Sequence, residues 1–318
     1  MKILILGAGA VGGYFGGRLI EAGADVTFLV RGMRAERMAK DGLRVKSKAG
    51  DIAQPVRLVT QDVLKPGWDL VIFTAKAYAL DGAIDAIAPA VEGSCMVLPL
   101  LNGMSHLADL DKRFGPERVL GGVAYIASTL AADGTIQHLG DYQKISFGPR
   151  RGLDAEHALR AMALCEALKA LFAKTPAEAI LSESIEQTMW DKWVMLASIA
   201  GMTCLMRSAI GDIVATGAGE RLMLALLAEC ASVARAEGHP VSNAQLEAHK
   251  KMLTQKGSAA TASMLRDTEN GGPTEADHVL GAMLALASRH SLPAPMLEIA
   301  YTHLQAYAAR RAREAKPG

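Results

Sequence analysis

The chain has 318 residues, of which 50% are hydrophobic and 21% are charged, and its formal net charge is +1. This length exceeds the usual size of a single hydrophobic core and predicts two domains. The balanced charge argues against a nucleic-acid or anionic-membrane partner, and no apolar run is long enough to span a bilayer. The 4 cysteines are widely spaced and indicate reduced thiols in a cytoplasmic protein. The histidines show no metal-ligand spacing, so we expect no metal site.

The chain opens on an aliphatic strand, a glycine-rich turn and a helix. Residues 3–6 are aliphatic, glycines follow at 7, 9 and 12, and apolar residues then recur at helical spacing. In a dinucleotide-binding turn the first glycine permits a tight turn, the second lets the backbone approach a pyrophosphate, and the third lets the helix pack on the strand. A glycine-rich turn without a ligand is the alternative. We expect the pyrophosphate at the helix N-terminus, on Gly7, Ala8, Gly9, Ala10, Val11 and Gly12.

The second predicted strand, residues 25–30, bears on the choice of cofactor. A site for NAD places an acidic residue near the end of this strand, about 20 residues after the glycines, where it binds the ribose 2′-hydroxyl. This chain has Arg31 and Arg34 there instead. Because a guanidinium pairs with a phosphate through two hydrogen bonds, Arg31 predicts NADPH/NADP+ as the cofactor. A solvated loop arginine is the alternative.

The two halves of the chain differ in their hydrophobic pattern. Aliphatic strands alternate with helical segments in the first half, and nearly every segment after about residue 183 has helical periodicity. The further strands are predicted at 70–74, 96–100, 123–127, 135–138 and 144–148. We therefore predict an α/β fold, with a Rossmann-type doubly wound parallel sheet in the NADP-binding domain, residues 1–182, and an all-helical substrate and catalytic domain, residues 183–318. The apolar helix faces leave room for a homodimer interface, although core packing explains them equally well.

Polar side chains follow two of the predicted strands. Lys76 comes after the strand at 70–74, and Asn102 comes after the strand at 96–100. Both lie at the carboxyl ends of parallel strands, where ligands of such sheets bind. Asn102 can donate and accept hydrogen bonds together, which suits a ribose or a substrate carbonyl, but Asn-Gly is equally a common turn pair.

The helical half contains a lysine among large apolar side chains. Lys192 precedes Trp193 at the head of a long apolar helix. Burial would lower the pKa of Lys192 toward the range for proton transfer at neutral pH, whereas a lysine that extends its ammonium into water is the plainer alternative. Glu275 is predicted in the first turn of a helix, where an acid also complements the helix dipole, and Ser263 could equally be an ordinary helix hydroxyl.

Taken together, these positions resemble the ketopantoate reductases, the NADPH-dependent 2-dehydropantoate 2-reductases of pantothenate biosynthesis. The matching motifs run in the same order along nearly the whole chain. They are the N-terminal glycines with Arg31, Lys76, residues 98–103, Gly134-x-Ile136-x-His138, Trp190-x-Lys192, residues 263–267 and Thr274-Glu275.

The resemblance implies a role for each matched position. Lys192 would be the general acid that protonates the ketone oxygen, and Glu275 would bind the substrate hydroxyl and orient Lys192. Ser263 would hold the substrate carboxylate. Lys76 and Asn102 would contact the nicotinamide ribose and the edge of the substrate, and Glu275 would also line the cofactor site.

One departure from the family pattern concerns the substrate pocket. The family usually carries asparagines one and two turns after the catalytic lysine, where this chain has Leu196 and Ala200. The expected reaction is therefore the reduction of a 2-oxo acid, with ketopantoate to pantoate as the first hypothesis and a more apolar 2-oxo acid as the alternative. A related dehydrogenase of β-hydroxy acids or opines, and a sensor that binds NADP(H) without turnover, are further hypotheses. Lys192 and Glu275 argue against the sensor, which needs neither.

Overall fold

The computed structural model describes residues 1–315, which form two compact units. The first unit comprises Met1–Leu101 and His106–Thr188, and the second comprises Asn102–Ser105 and the chain from Met189 onward. Each unit has its own cluster of buried apolar side chains. The short segment Asn102–Ser105 thus belongs with the helical unit, although both its neighbours in sequence belong to the first unit.

The first unit contains all the strands that the structure describes. In chain order the strands are β1 (Lys2–Leu6), β2 (Asp25–Leu29), β3 (Leu43–Lys46), β4 (Ile52–Gln54), β5 (Arg57–Val59), β6 (Leu70–Phe73), β7 (Met96–Pro99), β8 (Gly121–Leu130), β9 (Ile136–Gly148) and β10 (Glu178–Leu181). The helices of this unit are α1 (Ala10–Glu21), α2 (Gly32–Asp41), α3 (Leu80–Ile87), α4 (His106–Phe114) and α5 (Ala155–Phe172).

A parallel sheet in the order β5-β2-β1-β6-β7 forms the centre of the first unit. Its central strands are continuous aliphatic runs because both faces are covered, and Ile3, Leu4 and Ile5 have no exposed surface. The parallel sheet and the helical C-terminal half confirm the predicted fold class.

A second, mixed sheet corrects one detail of the strand prediction. The segment 123–127 was expected in the parallel sheet, but it lies in β8, which pairs antiparallel with β9. The segments 135–138 and 144–148 are the two ends of the single strand β9. The turn at Ala131–Thr135 causes the antiparallel pairing: Ala131 N donates to Thr135 O at 2.9 Å, and Gly134 has φ +83°, so the chain reverses into a hairpin.

The remaining helices are α6 (Ile185–Met206), α7 (Ile210–Val214), α8 (Gly219–Ala236), α9 (Asn243–Leu253), α10 (Ser263–Glu269), α11 (Ala282–Arg289) and α12 (Pro295–Glu314). A short π-helix, Asp277–Gly281, leads directly into α11. The helix α6 begins in the first unit and continues through the core of the second. No helix in residues 1–315 is long and apolar enough to cross a membrane.

Candidate active site

In the second unit, hydrogen bonds join three of the side chains that the sequence singles out. Lys192 Nζ donates to Asn102 Oδ1 at 3.1 Å, and Asn102 Nδ2 donates to Glu275 Oε2 at 3.4 Å. Asn102 therefore uses both ends of its amide, accepting from the cation and donating to the carboxylate. The three residues come from distant parts of the sequence, and the fold of one unit brings them together.

The surroundings of Lys192 suit proton transfer near neutral pH. Glu275 is only 6% exposed, and Lys192 is partly buried. Burial lowers the pKa of Lys192 from 10.5 to about 8, and the negative charge of Glu275 opposes this shift. An ammonium with such a pKa stays protonated at neutral pH, yet it gives up its proton more readily than an ordinary lysine.

The helix α6 holds Lys192 through its neighbour Trp193. Trp193 is 3% exposed, and its indole Nε1 donates to Val279 O at 2.9 Å. Val279 lies in the π-helix that begins two residues after Glu275. The indole hydrogen bond therefore joins the segment after Glu275 to the helix that carries Lys192.

Two residues that the sequence analysis did not select fix the segment carrying Asn102. Ser105 Oγ and His278 Nδ1 share a hydrogen bond of 2.7 Å. A Cβ added at Gly103, which has φ +75°, would lie 2.9 Å from the backbone oxygen of His278. Asn102 and Gly103 therefore lie in a bend that excludes a larger residue at position 103, and the asparagine bonds to the lysine.

Glu275 and Ser263 both lie at helix starts. Glu275 precedes the π-helix instead of lying within a first helical turn, and its carbonyl accepts from Val279 N at 2.9 Å. Ser263 is the first residue of α10. Its neighbour Ala262 donates from N to Thr203 Oγ1 at 3.4 Å, which places the start of α10 beside α6.

The two apolar positions that replace the family's asparagines differ in burial. Leu196 is partly buried and packs against the core of the second unit, whereas Ala200 is 0% exposed within that core. Of the two, Leu196 therefore presents surface that a ligand could touch in this conformation.

The glycine-rich turn lies in the first unit between β1 and α1. Gly7 has φ +94°, and a Cβ at Gly12 would lie 2.1 Å from Gly7 O, so both positions exclude larger residues. A Cβ at Gly9 would meet nothing within 4 Å. Gly9 is the N-cap of α1, where no side chain caps the helix and no acidic residue lies in the first turn. These features fit a bound pyrophosphate at the helix N-terminus.

Three basic residues follow the strands β2 and β6, and one of them, Arg34, contacts this turn. Arg31 is the exposed N-cap residue of α2, and Arg34, three residues further along the chain, donates to Ala8 O. Lys76 is exposed and follows β6, directly before a short 3-10 helix. An exposed guanidinium at position 31 could pair with a phosphate on the ribose, and the residues present therefore fit NADP(H).

Comparisons with known proteins match both parts of the chain. Residues 3–152 match the family model described as ketopantoate reductase PanE/ApbA, and residues 184–308 match the model of its C-terminal part. The uncharacterized oxidoreductase YkpB of Bacillus subtilis is 40% identical over 98% of this chain and 100% of its own length. A crystal structure of 2-dehydropantoate 2-reductase from Geobacter metallireducens is 28% identical, with a TM-score of 0.86 over 96% of this chain and 99% of that one.

The fold is shared more widely. A ternary structure of D-mandelate dehydrogenase with NADH and anilino(oxo)acetate has a TM-score of 0.86 at 20% identity, covering 98% of this chain and 99% of its own. The fold, the order of the motifs and the match to both family models lead to one conclusion: the chain belongs to the ketopantoate reductase family of oxidoreductases.

Proposed function

We propose that this protein uses NADPH to reduce the ketone of a 2-oxo acid to a 2-hydroxy acid. The first candidate is 2-dehydropantoate (ketopantoate), with pantoate as the product, in pantothenate biosynthesis. The observation that carries the proposal is the hydrogen-bonded chain from Lys192 through Asn102 to Glu275. We propose further that residues 1–182 bind the cofactor and that residues 183–318 bind the substrate and supply the acid.

The chain's own residues handle the proton of the reaction. When bound, NADPH supplies the hydride that reduces the carbonyl carbon. The Lys192 ammonium donates a proton to the carbonyl oxygen as negative charge develops there, and its own charge stabilises that oxygen. Asn102 accepts a hydrogen bond from the ammonium and so limits the directions in which its protons point. Glu275 favours the protonated form of the lysine, because its negative charge raises the pKa of Lys192 against the effect of burial.

The proposal of NADPH over NADH is supported by Arg31. Its position at the end of the second strand is where the family of dinucleotide folds distinguishes the two cofactors. An unphosphorylated ribose would leave the Arg31 guanidinium without a partner charge. The D-mandelate dehydrogenase of the same fold is described with NADH, so both nicotinamides belong in the test.

A more apolar 2-oxo acid is the second candidate substrate, and Leu196 is the observation that favours it. A polar group of the substrate that faced Leu196 would lose a hydrogen bond, at a cost of about 1 to 3 kcal/mol when buried. A hydrocarbon group would instead gain from contact with the leucine. The D-mandelate dehydrogenase of the same fold is described with anilino(oxo)acetate, which carries an aromatic ring beside its oxo and carboxylate groups.

A panel of 2-oxo acids, assayed with NADPH and with NADH by the loss of nicotinamide absorbance, tests the proposal. The panel should contain ketopantoate, its analogue without the hydroxyl group, and phenylglyoxylate. We expect turnover with NADPH, and the ratio of kcat/KM between ketopantoate and its deoxy analogue decides between the two substrate classes. If the protein bound NADPH but no 2-oxo acid of the panel oxidised it, the proposal would be contradicted and the hypothesis of an NADP(H) sensor would be favoured.

A further inference from the structure

Arg34 spans the glycine-rich turn and a hairpin turn of the same unit. Its Nε and Nη2 both donate to Ala8 O, at 3.0 and 2.7 Å, and its Nη1 donates to Gly134 O at 2.8 Å. The side chain is partly buried, unlike that of Arg31. Both ends of the guanidinium are thus engaged with backbone carbonyls, one of which belongs to the glycine-rich turn itself.

We propose that Arg34 is a positioning residue of the cofactor site, which holds the Ala8 carbonyl so that the next amide, Gly9 N–H, is aimed at the pyrophosphate. This inference rests on the proposed binding of a dinucleotide and extends it. In a trans peptide the C=O and the N–H point in opposite directions, and the described residues contain no cis peptide bond. Fixing the carbonyl oxygen of Ala8 on the guanidinium therefore turns Gly9 N–H away from Arg34.

The other carbonyls of the turn are held in the same manner. Thr74 Oγ1 lies 2.7 Å from Leu6 O and 3.0 Å from Gly7 O, and Ser128 Oγ donates to Ala10 O at 3.1 Å. The carbonyls at 8 and 10 thus accept from side chains of the protein, and the single proton of the Thr74 hydroxyl is shared between the carbonyls at 6 and 7. With the carbonyls held in this way, the amides of the turn need no rearrangement when an anion binds, which reduces the free-energy cost of binding.

Neighbouring arginines bind the same hairpin turn and provide a control. Arg37 Nη1 donates to Ala132 O at 2.6 Å, and Arg44 Nη2 donates to Asp133 O at 2.8 Å. Arg37 lies on the same helix as Arg34 and carries the same charge. Its guanidinium binds the hairpin turn, whereas that of Arg34 binds both the hairpin turn and the glycine-rich turn. A substitution at Arg37 therefore removes one positive charge and one hydrogen bond to the hairpin turn, and it leaves the bond between Arg34 and Ala8 intact.

The test compares two substitutions of similar length at Arg34. Arg34→Gln keeps an N–H donor without the charge, and Arg34→Met removes the donor, while Arg37→Met is the control. Dissociation constants are measured by calorimetry for NADPH, NADH and adenosine 2′-monophosphate, which has the 2′-phosphate but no pyrophosphate. Thermal melting of each variant reports on folding, and steady-state kinetics separate the cofactor KM from kcat.

We expect Arg34→Met to weaken NADPH and NADH by a similar factor, about tenfold or more, which is typical of a hydrogen bond to a charged group. Binding of adenosine 2′-monophosphate should change no more than it does in Arg37→Met. Arg34→Gln should recover part of the lost dinucleotide affinity. The cofactor KM should rise while kcat stays within about twofold of the wild-type value, because Arg34 is proposed to act in cofactor binding and not in the chemical step.

Two results would overturn the inference. If Arg34→Met weakened NADPH and adenosine 2′-monophosphate but spared NADH, Arg34 would bind the 2′-phosphate itself. If Arg34→Met matched Arg37→Met for every ligand, the bond to Ala8 would have no role in binding. A wild-type protein that bound both dinucleotides but reduced no 2-oxo acid would overturn the proposed function alone, because these binding constants are measured without a substrate.

Discussion

Lys192 donates a hydrogen bond to Asn102, a residue 90 positions earlier in the chain, and both belong to the same compact unit. Asn102 follows the last strand of the parallel sheet, yet the segment Asn102–Ser105 groups with the helices. The amide that bonds to the proposed acid is therefore fixed in the unit that carries this acid. The orientation of the Asn102 side chain thus depends on the packing of the helical unit as well as on the sheet.

Replacement of Lys192 by alanine tests the proposed acid. We expect Lys192→Ala to lower kcat for NADPH oxidation by about a hundredfold to ten-thousandfold, the usual contribution of a general acid. The dissociation constant for NADPH should stay nearly unchanged, because the glycine-rich turn lies in the other unit. Lys256→Ala, an exposed lysine of the same unit, is the matched control. Equal turnover of Lys192→Ala and the wild type would refute the role of this lysine.

The pH dependence of the reduction should report the pKa of Lys192. A general acid is active in its protonated form, so kcat/KM should be level below the pKa of about 8 and fall above it. The decline should approach about tenfold per pH unit, because the protonated fraction falls in that proportion. Rates across this range in overlapping buffers check the prediction. A rate that rises with pH through this range would mean that Lys192 acts in its neutral form.

Removing the charge of Glu275 should move this decline to lower pH. Glu275 raises the pKa of Lys192 by its negative charge, against the larger effect of burial. In Glu275→Gln the ammonium keeps its burial but loses the favourable charge, so its pKa falls further. We expect the bend in the pH profile to shift downward, whereas the exposed Glu269→Gln should leave it in place. A bend that stayed in place or moved upward would show that the charge of Glu275 does not raise the pKa of Lys192.

Arg31→Ala should change the choice between the two nicotinamide cofactors. We expect the affinity for NADPH to fall about tenfold to a hundredfold, the range for a lost charge-assisted hydrogen bond, while that for NADH changes little. Lys40→Ala, which removes an exposed charge near the C-terminal end of α2, is the control for general electrostatics. Fluorescence titration with both cofactors measures the ratio. A uniform loss for both would count against contact with the 2′-phosphate.

Leu196→Asn tests which part of the substrate faces α6. The amide would restore a hydrogen-bonding group one turn after Lys192, so kcat/KM for ketopantoate should rise relative to that for an apolar 2-oxo acid of similar size. Leu196→Met, which keeps the apolar character, should leave the ratio near that of the wild type. We choose Leu196 because Ala200 is fully buried in the core, and a larger polar residue there would disturb packing. An unchanged ratio in Leu196→Asn would place the substrate away from this residue.

Much of the architecture was predictable because its signals are local. The aliphatic run, the glycine spacing and the change to helical periodicity each lie within a short window, and the predicted fold class and family resemblance are confirmed. The roles of the individual site residues stay predictions. The association of Asn102–Ser105 with the helices was not predictable, because it depends on contacts such as that of Ser105 with His278, 173 positions away.

The π-helix is a further feature that the pattern could not reveal. Residues 277–289 have ordinary helical periodicity, and the wider turn shows only in the backbone hydrogen bonds. The hairpin of β8 and β9 was missed for a related reason, since a run such as 123–127 is equally compatible with a parallel or an antiparallel strand. Its pairing is decided by the turn that follows.

That hairpin turn limits how the chain can vary in evolution or in engineering. Surface turns between strands usually tolerate insertions and deletions. Here the consecutive carbonyls of Ala132, Asp133 and Gly134 accept from Arg37, Arg44 and Arg34, and Arg34 also holds Ala8. An extra residue would displace these acceptors from their guanidinium groups. The length of this surface turn is therefore expected to be as restricted as the spacing of the N-terminal glycines.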